Sequence, residues 1–391
     1  MKAGRTLLAI TVYNGRAFTP RALASAARLA SSLCDVVVLD DCSPEPGWGD
    51  ELAALCATLK IGCYRSPRNL GIPRNFNLAL LLCEDGGYSE VIIANSDVIF
   101  PANLVHAMSA VARTSEMAPI ASVTAWSNNA SIYSIPNEDP HRFLADEPTV
   151  DWVSQQLADR FGAAAVPIPV GMGFCFLVRR EAIDTIGLFD PVFGRGYCEE
   201  VDWCRRAVDR GWINLLAPSC FVYHVGSAST REAGLLRPGE QTIHTNEDIV
   251  DRRHPDYREA IIEWEAESGF AELLEDAKRA LVRAAARQRG YVLEATWLPR
   301  ANGPGPDPGA VRIEVSPDGP PLATAVVEGF RVTMDYGLAG SGILQSVGEF
   351  VGMPAAEVRI HAPGSVADAL RTDAARAGVP LRELARYPER V

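Results

Sequence analysis

The stretch Val91-Ile92-Ile93-Ala94-Asn95-Ser96-Asp97 determines how the first part of this chain folds. Its apolar half is rich in β-branched residues and predicts a short buried strand over Val91–Ala94. The polar residues that follow mark the carboxyl end of that strand. Ligands of open α/β sheets gather outside such ends, so this position is a candidate binding site. An ordinary turn also favours Asn and Asp here, and both interpretations remain open.

Strands and helices alternate on the amino-terminal side of this stretch. Strands are predicted at Leu7–Tyr13, Val36–Asp40 and Gly62–Ser66, and helices at Pro20–Ser32, Asp50–Lys60 and Pro73–Cys83. The alternation predicts an α/β domain with a largely parallel central sheet flanked by helices. Polar residues also follow the first two strands, at Tyr13-Asn14 and Asp40-Asp41.

The rest of the chain is less regular. Ser127–Val166 is predicted to be loop with a helix at Val153–Phe161. Later elements are a strand at Gly173–Arg179, helices at Glu181–Ile186 and Glu200–Arg210, extended segments at Ile213–Ala217 and Phe221–Tyr223, and helix over Tyr257–Arg289. A Pro/Gly-rich stretch then predicts a linker. We therefore expect four regions: 1–256 as the α/β domain, 257–300 as a helical extension, 301–310 as a linker and 311–391 as a small α/β lobe.

Composition excludes several classes of protein. The net charge of -12 argues against nucleic acid as a partner. The nine cysteines form no CxxC pair, which favours buried thiols in a reducing compartment over zinc or disulfides. No secretory signal is evident, and no segment approaches the roughly 20 apolar residues of a membrane helix. A cytoplasmic location is therefore expected.

Two further constellations carry candidate chemistry. Gly196-Tyr197-Cys198 is followed by Glu199, Glu200 and Asp202 at a predicted helix start, where acids also stabilise the helix dipole without any catalysis. Helical spacing puts Glu199 and Asp202 on one face and Glu200 on another. His224 closes a strand before a Gly/Ser loop, as either a metal ligand or a structural histidine.

Taken together, these elements resemble glycosyltransferase family 2, whose members are inverting enzymes of GT-A fold, and they are most similar to rhamnosyltransferase-like members of polysaccharide assembly. The resemblance covers about Leu7–Pro255. Thr11-Val12-Tyr13-Asn14 resembles the first nucleotide-contacting strand, and Asp40-Asp41-Cys42-Ser43 the segment whose second Asp contacts the base. Asn69 to Asn77, including Arg74 and Asn75, resembles a further nucleotide-side element.

The metal and acceptor elements follow in family order. Asn95-Ser96-Asp97 resembles the DxD motif, with Asn95 replacing its first Asp, so Asp97 is the expected principal metal ligand and His224 a further one. Gly196 to Asp202 resembles the acceptor-side motif, with Glu200 at the position of the general base, where the family usually has Asp. The resemblance places Gly173, Glu199, Asp202 and Trp203 on the acceptor side, although an indole such as that of Trp203 packs in the core more often than it stacks on a sugar.

The resemblance implies the reaction and its participants. Glu200 would deprotonate an acceptor hydroxyl, and Mn²⁺ or Mg²⁺ would offset charge on the departing diphosphate. The donor would be a sugar nucleotide of UDP, dTDP or GDP. The acceptor would be a glycan or lipid-linked oligosaccharide, with peripheral contact at the inner face of the cell membrane.

Three alternative functions require different features of the sequence. A sugar-nucleotide pyrophosphorylase needs a Gly-rich basic loop after the first strand, where this chain has Tyr13-Asn14-Gly15-Arg16. A dinucleotide oxidoreductase needs GxGxxG at the same place, and it is absent. A catalytically silent sugar-nucleotide or glycan-binding module remains the alternative, and Asn95 is the residue that favours it.

Overall fold

The structure, a computed structural model, describes residues 4–114, 118–130, 132–135, 146–226, 242–267, 269–296, 310–316, 322–327, 330–335 and 342–384. The chain divides into two compact units, the first ending at Ala271 and the second including Glu272 to the carboxyl end. No described helix has the length and apolar character needed to cross a bilayer.

The first unit contains a mixed sheet and its flanking helices. Its strands are β1 (Thr6–Val12), β2 (Cys34–Asp40), β3 (Gly62–Arg65), β4 (Glu90–Asn95), β5 (Val98–Ile99), β6 (Ile120–Ser127), β7 (Val166–Ile168), β8 (Cys175–Arg179) and β9 (Ile213–His224). Its helices are α1 (Thr19–Ala27), α2 (Trp48–Leu59), α3 (Ile72–Gly86), α4 (Leu104–Val111), α5 (Glu147–Phe161), α6 (Arg180–Ile186), α7 (Glu199–Val208), α8 (Thr242–Arg253) and α9 (Tyr257–Glu267), and a 3-10 helix lies at Pro191–Phe193.

The strand order is β3-β2-β1-β4-β8-β6-β9-β5, and β7 pairs with β9. The first four strands are mutually parallel, β8 is antiparallel to both β4 and β6, and β6 and β9 are again parallel. Leu8 and Ile10 of β1 belong to one apolar core, and Leu7 and Ala9 belong to another. Because successive side chains of a strand point to opposite faces, the sheet is buried on both sides. The predicted α/β class with a largely parallel sheet is confirmed.

The strand register aligns the polar ends. Thr11 of β1 lies opposite both Leu39 of β2 and Asn95 of β4. At the opposite end of the strand order, β5 pairs with the last residues of β9, so that Val98 lies opposite His224. The register therefore brings the carboxyl ends of β1, β2 and β4 to one edge, and it sets Asp97 beside the last residue of β9.

Several boundaries differ from the sequence prediction. The helix predicted at Val153–Phe161 begins earlier, at Glu147, because the Asp146 side chain accepts a 2.9 Å hydrogen bond from the Thr149 amide and caps it. Ser219 and Cys220 are buried and continue the strand, so the two extended segments predicted between 213 and 223 form the single strand β9. The strand β6 was not predicted, since Ser, Thr and Ala interrupt its apolar residues although all of it is buried.

The second unit has a sheet of its own. After α10 (Phe270–Arg289), which begins at the end of the first unit, come β10 (Tyr291–Ala295), β11 (Val311–Val315), β12 (Leu322–Val327), β13 (Phe330–Asp335), α11 (Ile343–Val351), β14 (Glu357–Ile360), α12 (Ser365–Ala377) and β15 (Leu381–Glu383). The sheet order is β13-β12-β11-β10-β14-β15.

The predicted region boundaries differ from this unit at one point. The strand β10 lies inside the region expected to be a helical extension, and it pairs in parallel with β11 and β14. Helices do occupy the earlier part of that region, as α9 and α10. Residues 301–309 of the expected linker lie outside the described residues.

Candidate active site

A cavity of about 200 Å³ opens beside the end of β4. Its walls come from the first turn of α3, the turn that begins α7, the segment before β8 and the end of β9. Five of the residues singled out in the sequence line it, namely Asn95, Gly173, Glu199, Glu200 and His224. Elements far apart in the chain therefore meet in one cavity, as the motif order implied.

Asp97 and His224 lie next to each other at this cavity. Oδ1 of Asp97 is 3.3 Å from Nε2 of His224, and the two residues are 2% and 9% exposed. The Val225 amide also donates to the Asp97 carbonyl at 2.9 Å. The short pairing of β5 with β9 fixes this approach, because it continues the backbone ladder up to the two side chains.

Two adjacent asparagines hold His224 in place. The Asn128 side chain bonds the His224 backbone twice, accepting from its amide at 2.8 Å and donating to its carbonyl at 3.0 Å. The Asn129 carbonyl lies 2.8 Å from Nδ1 of His224. The ring also stacks on Phe174, with centroids 5.3 Å apart. The imidazole is thus restrained on three sides.

These restraints fit a divalent cation. Burial lowers the pKa of His224, but the Asp97 carboxylate and the Asn129 carbonyl outweigh it, so the pKa lies above its ordinary value and the ring favours a proton on Nε2 beside Asp97. A divalent cation would take the place of that proton: with Nδ1 donating to Asn129, the Nε2 lone pair and the Asp97 carboxylate would both be free to act as ligands, as in metal-ligating histidines. Among the described residues, no group of three or more His, Cys, Asp or Glu side chains comes together as a metal cage.

The turn before α7 has an unusual backbone. Gly196, Tyr197 and Cys198 all have positive φ, at 127°, 75° and 71°. Residues other than glycine adopt this region at a cost of roughly 1–3 kcal/mol each, and such strain concentrates at functional sites. This turn delivers Glu199 and Glu200 to the cavity as the first two residues of the helix.

The two glutamates have different environments. Burial, with added repulsion from the charge of Glu200, raises the pKa of Glu199 well above its ordinary value. Burial also raises the pKa of Glu200, and hydrogen bonds from its own amide and that of Gly173 offset only part of this. Glu200 is half-buried, whereas Glu199 is 4% exposed. Glu199 is therefore the group held neutral, and Glu200 is the one that ionises first.

Asp202 and Trp203 bond other parts of the protein. Asp202 is fully buried, and its carboxylate bonds Arg206 at 2.9 Å and both Arg253 and His254 at 3.1 Å. Trp203 is also fully buried, and its indole donates to the Gly187 carbonyl. Both residues therefore hold α7 in place, and neither is among the residues that line the cavity. Their expected role on the acceptor side stays a prediction.

The nucleotide-side candidates lie along the neighbouring strand ends. Thr11 donates to the Ala94 carbonyl at 3.2 Å, Tyr13 is half-buried, and the Asn14 amide donates to Ser43 Oγ at 2.8 Å. Ser96 is buried next to Asp97. These residues occupy the edge at which a nucleotide is predicted to bind, and that role stays a prediction.

Asp41 supports the loop that leads into α3. Its two carboxylate oxygens accept from the amides of Leu70 and Gly71, at 2.6 and 2.9 Å. Burial raises the pKa of Asp41 in spite of these two bonds. The Asn69 side chain reaches back to the Asp41 carbonyl at 3.4 Å. Asp41 therefore holds the loop before α3 in place beside the predicted nucleotide site, in addition to lying at that site itself.

The two remaining candidates on α3 differ in exposure. Arg74 is exposed on the first turn, where it remains available to a ligand. Asn75 is 3% exposed and donates to the Leu39 carbonyl at 3.1 Å. Asn75 therefore fastens α3 to β2, and its expected contact with the nucleotide stays a prediction.

Sequence reasoning missed three asparagines that build the site. Asn128 and Asn129 fell in a stretch predicted to be loop, and the only available signal was two polar residues directly after an apolar segment. Asn246 lies on α8, and its amide nitrogen is within 2.8–3.1 Å of the carbonyls of Phe193, Gly196 and Tyr197. Nothing in its local sequence pointed to that contact.

Comparisons with known proteins agree with the motifs. Residues 8–187 match the model of glycosyl transferase family 2, so this segment is a family 2 glycosyltransferase domain. An N-acetylglucosaminyl-diphospho-decaprenol L-rhamnosyltransferase of Mycobacterium tuberculosis is 32% identical over 83 residues. That alignment covers 21% of this chain and 27% of the relative, so the chain spans about a quarter of the relative's length.

Solved structures resemble the chain only distantly. The mannosyltransferase PcManGT from Pyrobaculum calidifontis, in complex with GDP-Man and Mn²⁺, has 18% identity and a TM-score of 0.44, covering 72% of this chain and 75% of that one. GalNAc-T7, with UDP, GalNAc and Mn²⁺, has 18% identity and a TM-score of 0.42, covering 56% and 43%.

Proposed function

We propose, from the family 2 domain at residues 8–187, that this protein transfers a sugar from a nucleotide-diphosphate sugar to an acceptor hydroxyl with inversion. The observation that carries the proposal is a single cavity lined by both Glu200 and His224, with Asp97 at 3.3 Å from the histidine. A base for the acceptor and donors for a cation thus lie at the same edge of the sheet.

Glu200 acts as the general base. It accepts the proton of the acceptor hydroxyl while that oxygen bonds to the anomeric carbon, and the bond from this carbon to the diphosphate breaks. Burial raises the pKa of Glu200 and so brings it closer to the pH at which the enzyme works. A general base is most effective when its pKa lies near that pH. The Gly173 amide donates a hydrogen bond to the Glu200 carboxylate and so favours its ionised, proton-accepting form.

Asp97 and His224 hold a divalent cation. The cation, when bound, offsets the charge that develops on the departing diphosphate. Because Mg²⁺ takes oxygen ligands almost exclusively, the imidazole favours Mn²⁺ over Mg²⁺.

The donor and acceptor occupy different sides of the cavity. The nucleotide, of UDP, dTDP or GDP, lies along the ends of β1 and β2 near Tyr13 and Asp41. The acceptor approaches from the side of Gly173 and Glu199, and it is a glycan or a lipid-linked oligosaccharide of the cell envelope. The mycobacterial relative is named for an N-acetylglucosaminyl-diphospho-decaprenol acceptor, which favours the lipid-linked form. The enzyme would then work in the cytoplasm, in peripheral contact with the membrane.

The test is a panel of UDP-, dTDP- and GDP-sugars incubated with and without Mn²⁺, with release of nucleoside diphosphate as the readout. We expect slow, cation-dependent release by the native protein and none by Asp97→Ala. Equal release in excess chelator would remove Asp97 and His224 from a metal role. A thermal-shift panel with free UDP, dTDP and GDP identifies the nucleobase of the donor, because a ligand at 100 times its Kd stabilises the protein by about 2.7 kcal/mol.

A catalytically silent sugar-nucleotide or glycan-binding module is the second candidate. Asn95 favours it, because it stands where the family's motif has a carboxylate and lines the cavity without charge. Binding of a diphosphate without any release from the panel, at every cation tested, would support this module over the enzyme.

A further inference from the structure

We infer that Asn246, on helix α8, is the positioning residue that sets Glu200 for proton abstraction. This inference rests on the proposed function, because it assigns Asn246 a role through the base. Helix α8 lies outside the segment matched by the family model, which ends at residue 187. It is nevertheless the element that holds the acidic turn.

The contact is made by one buried amide group. Asn246 is 4% exposed, and its Nδ2 lies 3.1 Å from the Phe193 carbonyl, 2.8 Å from that of Gly196 and 3.0 Å from that of Tyr197. An amide has two N–H donors, so three carbonyls share them. These carbonyls belong to the turn in which Tyr197 and Cys198 adopt positive φ.

The backbone of this turn is strained and needs the hydrogen bonds from Asn246 to keep its conformation. Tyr197 and Cys198 carry side chains in a region of φ that favours glycine, so the backbone relaxes to another conformation unless contacts outside the turn hold it. Glu199 and Glu200 follow directly, and any relaxation changes the direction in which both carboxylates leave the backbone. The Asn246 bonds therefore fix the position of Glu200 without touching it.

Helix α8 and the residue after it also hold the far side of the acidic pair. Arg253 bonds Asp190 at 2.9 Å and Asp202 at 3.1 Å, and His254 bonds Asp202 at 3.1 Å. Asn246 thus binds the turn before Glu199, and Arg253 and His254 bind the helix just after Glu200. The pair is fixed from both directions by a single element.

Kinetics of three variants test this role. Asn246→Ala should lower kcat by about 10²-fold with little change in KM for the donor, because misplacing a catalytic group by about 1 Å costs that much. Asn246→Asp should lose as much, since a carboxylate cannot donate to the carbonyls. Cys198→Gly added to Asn246→Ala should restore much of kcat, because glycine adopts positive φ without strain. If the double variant regains no activity, and both KM and kcat are impaired in it, Asn246 contributes only to the overall stability of the fold.

Hydrogen exchange gives a readout that does not depend on turnover. We expect Asn246→Ala to speed exchange of the amides in 196–200 by about tenfold and to leave β1 and β4 unchanged. Asn103→Ala is the matched control, since Asn103 bonds Ser154 instead of the turn. Unchanged exchange in 196–200 would overturn the inference. The two proposals can fail separately. If the native protein transfers no sugar, but Asn246→Ala still exchanges the amides in 196–200 faster, the proposed function fails and the support of the turn by Asn246 stands.

Discussion

The Asn128 side chain replaces a strand partner for His224: its Oδ1 accepts from the His224 amide at 2.8 Å, and its Nδ2 donates to the His224 carbonyl at 3.0 Å. His224 pairs with Val98 of β5 on one side, but the pairing of β9 with β6 on the other side ends at Ser127 and Val222, two residues earlier. A side chain therefore completes the backbone pairing at the residue that is proposed to hold the cation.

Removing this pairing should weaken the cation site. We expect Asn128→Ala to lower the affinity for Mn²⁺, in the presence of the selected nucleoside diphosphate, by about 10–100-fold. Calorimetric titration measures this change, and Asn103→Ala serves as the control for loss of a side-chain amide elsewhere. A lower Tm with unchanged Mn²⁺ affinity would show that Asn128 supports the fold but not the cation.

The acidic cluster should separate into distinct roles. Glu200→Gln keeps the shape of the side chain but cannot accept a proton, so kcat should fall by about 10²–10⁴-fold with donor affinity nearly unchanged. Asp202→Asn should instead lower the free energy of unfolding by about 1–3 kcal/mol, because buried Asp202 bonds Arg206, Arg253 and His254. Steady-state kinetics and denaturant unfolding distinguish the two. Near-normal kcat in Glu200→Gln, with kcat lost in Glu199→Gln, would move the base to Glu199.

The stability of the protein should depend on the protonation of Glu199. Its folded-state pKa is raised well above the ordinary value of 4.5 by burial and by the charge of Glu200. The folded state therefore holds the proton more tightly than the unfolded state, and the resulting stability is lost as pH rises from the ordinary pKa through the folded one. Thermal unfolding across this range should show a falling Tm for the native protein and a shallower fall for Glu199→Gln. Parallel pH profiles for the two proteins would contradict the assignment.

Asp41 offers a test of the nucleotide side. Asp41→Ala should weaken binding of the selected nucleoside diphosphate, and it should also cost about 1–3 kcal/mol of stability because the amides of Leu70 and Gly71 lose their acceptors. Asn75→Ala is the comparison, since Asn75 fastens the same helix through a hydrogen bond to the Leu39 carbonyl. If both variants bind the nucleotide as the native protein does, the edge formed by β1 and β2 is not the binding site.

Local pattern was enough to predict the strands whose ends form the proposed nucleotide edge. Strands were predicted at Val91–Ala94 and Val36–Asp40; β4 ends one residue later than predicted, at Asn95, and β2 ends at Asp40 as predicted. The pairing of Glu200 with His224 in one cavity followed from the family resemblance, which carries spatial information that the local sequence lacks.

The contacts that were not predicted are long-range. Asn246 reaches a turn 49–53 residues earlier in the chain, and Asn128 reaches His224 at a separation of 96 residues. Neither contact leaves a trace in hydrophobic periodicity. The helical wheel placed Glu199 and Asp202 on one face and Glu200 on another, and burial follows the same division, since Glu199 and Asp202 are buried and Glu200 is half-buried. The wheel could not predict that Glu199 lines the cavity whereas Asp202 bonds Arg206.

The burial of β1 on both faces has a consequence for how the chain finds its register. When a strand with one solvent-exposed face shifts its register by one residue, its apolar side chains move to the solvent side, and the shift is strongly disfavoured. In β1 the side chains on both faces are apolar, so the same shift would only move each of them from one apolar core into the other. Polar groups at its two ends oppose such a slip: Thr6 bonds the Glu90 carboxylate at 2.9 Å, and Thr11 bonds the Ala94 carbonyl at 3.2 Å. Thr11 is also a nucleotide-side candidate. Residues at the binding edge thus help to specify which pairing the folding chain accepts, and a substitution there can produce a misaligned sheet as well as a lost ligand contact.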